Sequence, residues 1–174
     1  AVIDTNGNLI TIAQSLLDGG GGGGLTKTGL GTLTLTGTNT YTGTTAITQG
    51  ILAITSTTAL PGYNTAGRFS VSSGAGLALP NSVDDTAIGQ IVATGNFASG
   101  AQIGFDTSAG DRTYTPAIQG ALGVAKTSAN TLVLSGSNTY TGPTTIAGGT
   151  LQAAGANALG SGGTITFTGG ALQV

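Results

Sequence analysis

The chain has 174 residues, 33 of them Gly, with four Lys or Arg, six Asp and no Glu, and with no His, Cys, Met or Trp. The usual metal ligands, a thiol nucleophile and the commonest general base are therefore missing, and a net charge of −2 offers no basic surface for nucleic acid. A hydrophobic fraction of 39% with positive mean hydropathy sets the chain apart from disordered sequences, yet no apolar run is long enough for a membrane helix, so no membrane insertion of this segment is expected.

Elements read in chain order are short and mostly alternate with period two. Ile10-Thr11-Ile12 reads as a strand, although 10–17 has room for a helical turn. Six glycines follow, Gly19 to Gly24, and read as a flexible excursion; no Gly-Lys-Ser/Thr follows them, so they are no phosphate loop. The run 32–36 then sets Leu33 and Leu35 on one face and threonines on the other. Further strands are expected at 46–48, 51–55, 68–72, 88–94, 101–105, 131–134, 144–147, 150–153 and 164–168. Gly- and Asn-rich turn chemistry separates them, and no helix is expected.

The chain repeats itself. Residues 27–60 align without a gap on 126–159, an offset of 99, and seventeen of the 34 positions are identical. Asn39-Thr40-Tyr41-Thr42-Gly43 returns intact as Asn138-Thr139-Tyr140-Thr141-Gly142. Ile3-Asp4-Thr5 also resembles Phe105-Asp106-Thr107. Asn6-Gly7 is the one dipeptide suited to a two-residue hairpin, which speaks against a sandwich and for a solenoid of seven or eight coils, about 35–40 Å long. One solenoid segment, 1–174, is expected, with a first repeat core at 25–60, linking coils at 61–124 and a second core at 124–174. Both ends fall inside a repeat, so uncapped end coils are expected, either within a longer array or meeting other subunits. The start, Ala1-Val2-Ile3-Asp4, has no signal-peptide pattern, so an export signal is expected to be removed or to lie elsewhere.

Leu25 through Gly43, with Lys27-Thr28-Gly29-Leu30-Gly31 and Asn-Thr-Tyr-Thr-Gly within it, resembles the passenger-associated transport repeat, also called the autotransporter-associated β-strand repeat. The stretch from Val124 to Leu151 resembles it too, with Ser128-Ala129-Asn130 for Gly-Leu-Gly and Pro143 for Thr44. The resemblance implies a right-handed parallel β-helix in an exported bacterial protein, located outside the cell or on its surface, where the repeat assists passenger export and acts as a stalk. The membrane β-barrel of that family is not expected within residues 1–174, which show no series of long alternating strands with aromatic girdles.

Leu33, Leu35, Ile47, Leu52, Leu132, Leu134, Ile146 and Leu151 are expected inside, with Asn39, Gly43, Asn138 and Gly142 turning corners. Tyr41 and Tyr140 are the candidates for a surface-binding role, against packing over the corner. Asp84-Asp85, and Asp106 with Asp111, are the nearest approach to a lyase or glycosidase carboxylate pair; loop Asp residues in Asx-turns are the alternative. Asp4-Thr5-Asn6-Gly7-Asn8 faintly resembles a calcium loop but lacks its distal Glu. Lys27 and Lys126 are read as solvated corner charges, with an inter-coil pair to an Asp as the alternative, and the threonines from Thr32 to Thr42 as an outward rank that the second copy interrupts, which weakens an ice-binding reading.

The expectation is thus a non-catalytic rod module needing no cofactor and no metal, whose partners are flanking repeats or end coils of further copies stacked head to tail into a fibre. The alternative is an adhesin module that binds polysaccharide or a host surface through exposed Tyr and Asp side chains.

Overall fold

The computed structural model describes all 174 residues and contains seventeen short strands and one α-helix. The first coils run through β1 (Val2–Asp4), β2 (Leu9–Ile12), β3 (Leu25–Thr28), β4 (Thr32–Leu35), β5 (Thr45–Ile47), β6 (Ile51–Ile54), β7 (Phe69–Val71) and β8 (Gly76–Pro80). Helix α1 (Asp85–Thr94) leads into β9 (Asn96–Phe97), β10 (Gln102–Asp106) and β11 (Arg112–Tyr114). The second repeat supplies β12 (Gly123–Thr127), β13 (Thr131–Leu134), β14 (Thr144–Ile146), β15 (Thr150–Ala153), β16 (Ile165–Phe167) and β17 (Ala171–Gln173).

Every strand pair is parallel. The even-numbered strands β2 to β16 form one eight-stranded sheet along the whole molecule. Before it in each coil, β1, β3, β5, β7 and β9 form a five-stranded sheet; after it, β11, β13, β15 and β17 form a four-stranded one. The chain is a β-solenoid of about eight turns. With the rungs ~4.8 Å apart, eight of them span about 34 Å.

The alternation in sequence explains the packing. Period two places every second residue inside, and parallel register without slips stacks like upon like, so the interior is built of columns. One column of the central sheet runs Leu33, Leu52, Leu77, Ile103, Val124, all fully buried. Burial of each such side chain stabilises the fold by about 2 kcal/mol. Leu33, Leu35, Ile47, Leu52, Leu132, Leu134, Ile146 and Leu151 all lie in this core.

The two repeat copies do not occupy the same sides of the rod. In copy one β3 lies in the five-stranded sheet and β4 in the central sheet; the equivalent β12 and β13 lie in the central and four-stranded sheets. From β4 to β12 the central sheet passes β6, β8 and β10, which is four coils, and β3 lies one side earlier. The 99-residue offset therefore equals four coils plus one side.

Residues 88–94 are not a strand, contrary to expectation. They belong to α1, because Asp84 caps the helix by accepting a hydrogen bond from Ala87 N at 2.8 Å, and Ala87, Ile88 and Ile91 form a buried stripe at helical spacing. The excursion at Gly19 to Gly24 folds around Asp18, whose Oδ1 accepts from Gly20 N at 2.9 Å and Gly22 N at 3.3 Å, while Thr42 Oγ1 donates to its Oδ2.

Candidate functional site

The most elaborated chemistry lies where the repeat motif turns its corners. Asn39 is buried and bridges three coils: Oδ1 accepts from Leu16 N at 2.8 Å, and Nδ2 donates to Ala59 O at 2.7 Å. Asn138 repeats this with Ile118 N at 2.8 Å and Ala158 O at 2.6 Å. A side-chain amide suits the place because it offers one acceptor and one donor on opposite sides, as the backbone does. Gly43 and Gly142 lie against the backbone of the preceding coil, at Gly22 to Gly24 and at Leu122 to Gly123; a Cβ there would fall inside van der Waals contact.

Tyr41 and Tyr140 are 4% and 0% exposed, which corrects the surface-binding reading of both. Their rings pack inward from the corner, and each hydroxyl shares a hydrogen bond with a buried threonine, Thr45 Oγ1 at 2.6 Å and Thr144 Oγ1 at 2.7 Å. Burial pushes both phenols above their ordinary pKa, against the opposing effect of those threonine bonds.

Lys27 and Lys126 are fully buried, which overturns the solvated-corner reading. Lys27 occupies an interior column between Ile3 and Ile47. Its Nζ donates to Thr28 O at 2.8 Å, Gly29 O at 2.7 Å, Gln49 O at 3.1 Å and Thr5 Oγ1 at 2.9 Å, joining three successive coils. Lys126 Nζ donates to Thr127 O at 2.7 Å, Ser128 O at 2.9 Å and Gly148 O at 3.0 Å. Desolvation lowers both ammonium pKa values, while Asp4 for Lys27, and Asp106 and Asp111 for Lys126, act in the opposite sense. The sequence carried the signal: Leu25-Thr26-Lys27 places Lys27 on the parity of buried Leu25, as Val124-Ala125-Lys126 does for Lys126.

The carboxylates are dispersed, each with a local partner. Asp84 caps α1, and Asp85 pairs with Arg112 at 2.6 Å. Asp4 and Asp106 accept from the backbone two residues on, Asn6 N at 2.8 Å and Ser108 N at 2.9 Å, the Asx-turn pattern. Asp106 also accepts from Ser128 Oγ at 2.5 Å, and Asp111 accepts from Thr131 N at 2.7 Å. Desolvation favours protonation of Asp106, but its hydrogen bonds to Ser128 and Ser108 and the Lys126 charge together hold its pKa below the ordinary value. No three His, Cys, Asp or Glu side chains gather where a metal ion could sit.

The end coils leave apolar interior positions uncovered. Phe167 continues the column of Lys126 and Ile146, and is 53% exposed. Ile3, Ile10 and Ile12 lie partly buried at the other end. Away from the ends, the outer face of the central sheet carries a shallow groove of about 260 Å³, bordered by Leu30 and Ile51 and floored by Gly76, Ala78, Gly104 and Ala125.

This arrangement binds coil to coil. Against known families, the passenger-associated-transport-repeat matches twice, at residues 25–54 and 124–153, so two segments of the chain are similar to this repeat. Each match spans the buried lysine and the bridging asparagine of its copy. No curated protein and no solved structure matches the chain.

Proposed function

We propose that the chain is a non-catalytic structural module of an exported bacterial surface protein, serving as a rigid rod or stalk. The observation that carries this reading is the uninterrupted parallel stacking of eight rungs in one sheet, locked at the corners by side chains that each engage up to three coils. Residues with chemical potential are consumed by that locking: both lysines, the two bridging asparagines Asn39 and Asn138, and the repeat tyrosines Tyr41 and Tyr140 are internal. The two transport-repeat matches support export to the cell surface or beyond, since the family is named for autotransporter passengers.

Stacking does not need a covalent link between coils. The uncovered columns at both ends favour docking of a further repeat of the same polypeptide or of another copy head to tail, a heterologous contact that does not close and therefore propagates as a filament. Adhesion through the repeat tyrosines loses its footing with their burial.

Small-angle scattering on the chain and on a version with one further 99-residue repeat inserted in frame tests the rod. The expected gain in length is about 21 Å, four and a third rungs at ~4.8 Å; an unchanged maximum dimension with a thicker cross-section refutes the reading. For head-to-tail docking, Phe167→Glu places a charge in the end column and is expected to abolish filaments seen by electron microscopy at high concentration. Filaments unaffected by it, or isolated particles from the unmodified chain, count against end stacking.

A further inference from the structure

Asn6-Gly7, the one dipeptide suited to a hairpin, turns a corner instead, because β1 and β2 on either side of it lie in different sheets. Asn8 N donates to Thr5 O at 2.8 Å and closes a turn over the two residues. Both have positive φ, 45° for Asn6 and 81° for Gly7, as a type I′ turn requires. Asn tolerates that conformation better than most residues, and Gly adopts it freely.

Of the nine asparagines, Asn6 alone precedes a glycine. It is exposed, and only its main chain is engaged: N donates to Asp4 Oδ1 at 2.8 Å and O accepts from Asn8 Nδ2 at 3.3 Å. Gly7 is exposed too, its N–H donates to no group of the chain, and a Cβ there would meet nothing within 4 Å. The other asparagines are occupied or crowded. Asn39 and Asn138 are buried with both ends of the amide bonded. Asn8, Asn81 and Asn130 donate to main-chain carbonyls. The exposed Asn64, Asn96 and Asn157 precede Thr65, Phe97 and Ala158, whose side chains hinder approach to the following nitrogen.

We infer that Asn6 is a site of self-modification, where attack by the Gly7 main-chain nitrogen converts the side-chain amide to a carboxylate. The nitrogen loses its proton to hydroxide and bonds to Asn6 Cγ. The Cγ–Nδ2 bond breaks, and ammonia leaves with a proton returned by water, so that a five-membered succinimide remains. Water then opens the ring. Cleavage between the nitrogen and Cγ gives aspartate in a normal main chain. Cleavage between the nitrogen and the Asn6 carbonyl carbon gives isoaspartate, whose main chain runs through the former side chain. The net change is one water consumed and one ammonia released. The turn must open for the attack, so conversion is gradual.

The second copy shows what the new charge meets. Its corner carries Ser108-Ala109 in place of Asn6-Gly7, and there two carboxylates, Asp106 and Asp111, act on the buried Lys126. In the first copy Asp4 alone acts on Lys27, whose Nζ donates at 2.9 Å to Thr5 Oγ1, on the residue before Asn6. A carboxylate at position 6 adds a second negative charge beside this ammonium and favours its charged form. The reaction is confined to one corner and does not depend on the rod or stalk reading.

Incubation of the folded, unmodified chain in mildly alkaline buffer, followed by peptide mass spectrometry with electron-transfer fragmentation, reads amide loss at each asparagine and separates aspartate from isoaspartate. Conversion at Asn6 is expected to run at least tenfold ahead of Asn64, Asn96 and Asn157, with both products present. Gly7→Ala, which places at this corner the residue type of Ala109, is expected to slow it severalfold. Exposed asparagines converting as fast as Asn6, or conversion undiminished in Gly7→Ala, overturns the inference. Conversion seen only after unfolding in urea also overturns it, because the site would then belong to the free polypeptide and not to the folded corner.

Discussion

At the scale of single residues, the molecule uses its few polar side chains as internal fasteners. Asn138 satisfies a buried N–H below and a buried carbonyl above. Replacing it with Ala leaves both without partners, and each buried orphan costs about 1–3 kcal/mol. Asn138→Ala is accordingly expected to lower unfolding free energy by about 2–4 kcal/mol in urea denaturation, and Asn39→Ala by a similar amount; a loss within experimental error would mean that the bridges are not needed. The buried phenols make a second prediction. Tyr114 is fully buried, and desolvation, aided by the Asp85 charge and opposed by Arg112, raises its pKa to about 12. Tyr41 and Tyr140 shift in the same direction. Each group is neutral in both states below pH 10; above that the unfolded chain ionises first, so stability is lost as pH climbs from about 10 towards 12. The lysines act oppositely over the alkaline range below 10.5, since the folded state releases their protons first. Tyr114→Phe should flatten the loss between pH 10 and 12, as read from urea midpoints at several pH values.

At the scale of elements, what sequence made legible was whatever a two-residue period and a repeat can encode. The strands at Leu33–Leu35 and Leu132–Leu134 were visible because leucine alternates with Thr or Val, and the corners because Asn39 and Gly43 recur at Asn138 and Gly142. Interior lysines are hard to read because a charge points to solvent, although Lys27 shares the parity of Leu25; two of its acceptors, Gln49 O and Thr5 Oγ1, belong to other coils and meet it only in the fold. Tyr41 and Tyr140 were open to a surface reading because their Thr45 and Thr144 partners become visible only once the corner is folded. Helix α1 was lost because Ile88, Ile91 and Val92 also fit a strand, and it is the Asp84 cap that decides. This excursion lies on the side of the rod where the four-stranded sheet begins with β11, and it is tied there by the Asp85–Arg112 pair. Asp84→Ala removes the cap and is expected to cost about 1 kcal/mol. Hydrogen exchange should rise first at 85–94, with the rungs of the central sheet unchanged; uniform acceleration along the chain would contradict a locally held helix.

At the scale of the whole molecule, a repeat of four coils plus one side means that identical motifs do not line up along the rod. Thr40 and Thr139 are equivalent, exposed and free of any fixed role in the core. If the period were a whole number of coils, they would face the same direction, separated only by four rungs, about 19 Å. With the extra side they point about a third of a turn apart, and spin labels placed outside a rod of this width add a lateral separation comparable to the axial one, for a total on the order of 30 Å. The cysteine-free background makes Thr40→Cys/Thr139→Cys labelling direct. A double electron–electron resonance peak well above 20 Å is expected, and a peak near 19 Å would show that the copies are in phase. The consequence for a longer array follows from the same arithmetic: three such repeats make thirteen coils and bring the motif back to its starting side, so loops inserted at one repeat position are displayed on all three sides in turn. A stalk built this way carries its excursions on a spiral, and no single side accumulates them.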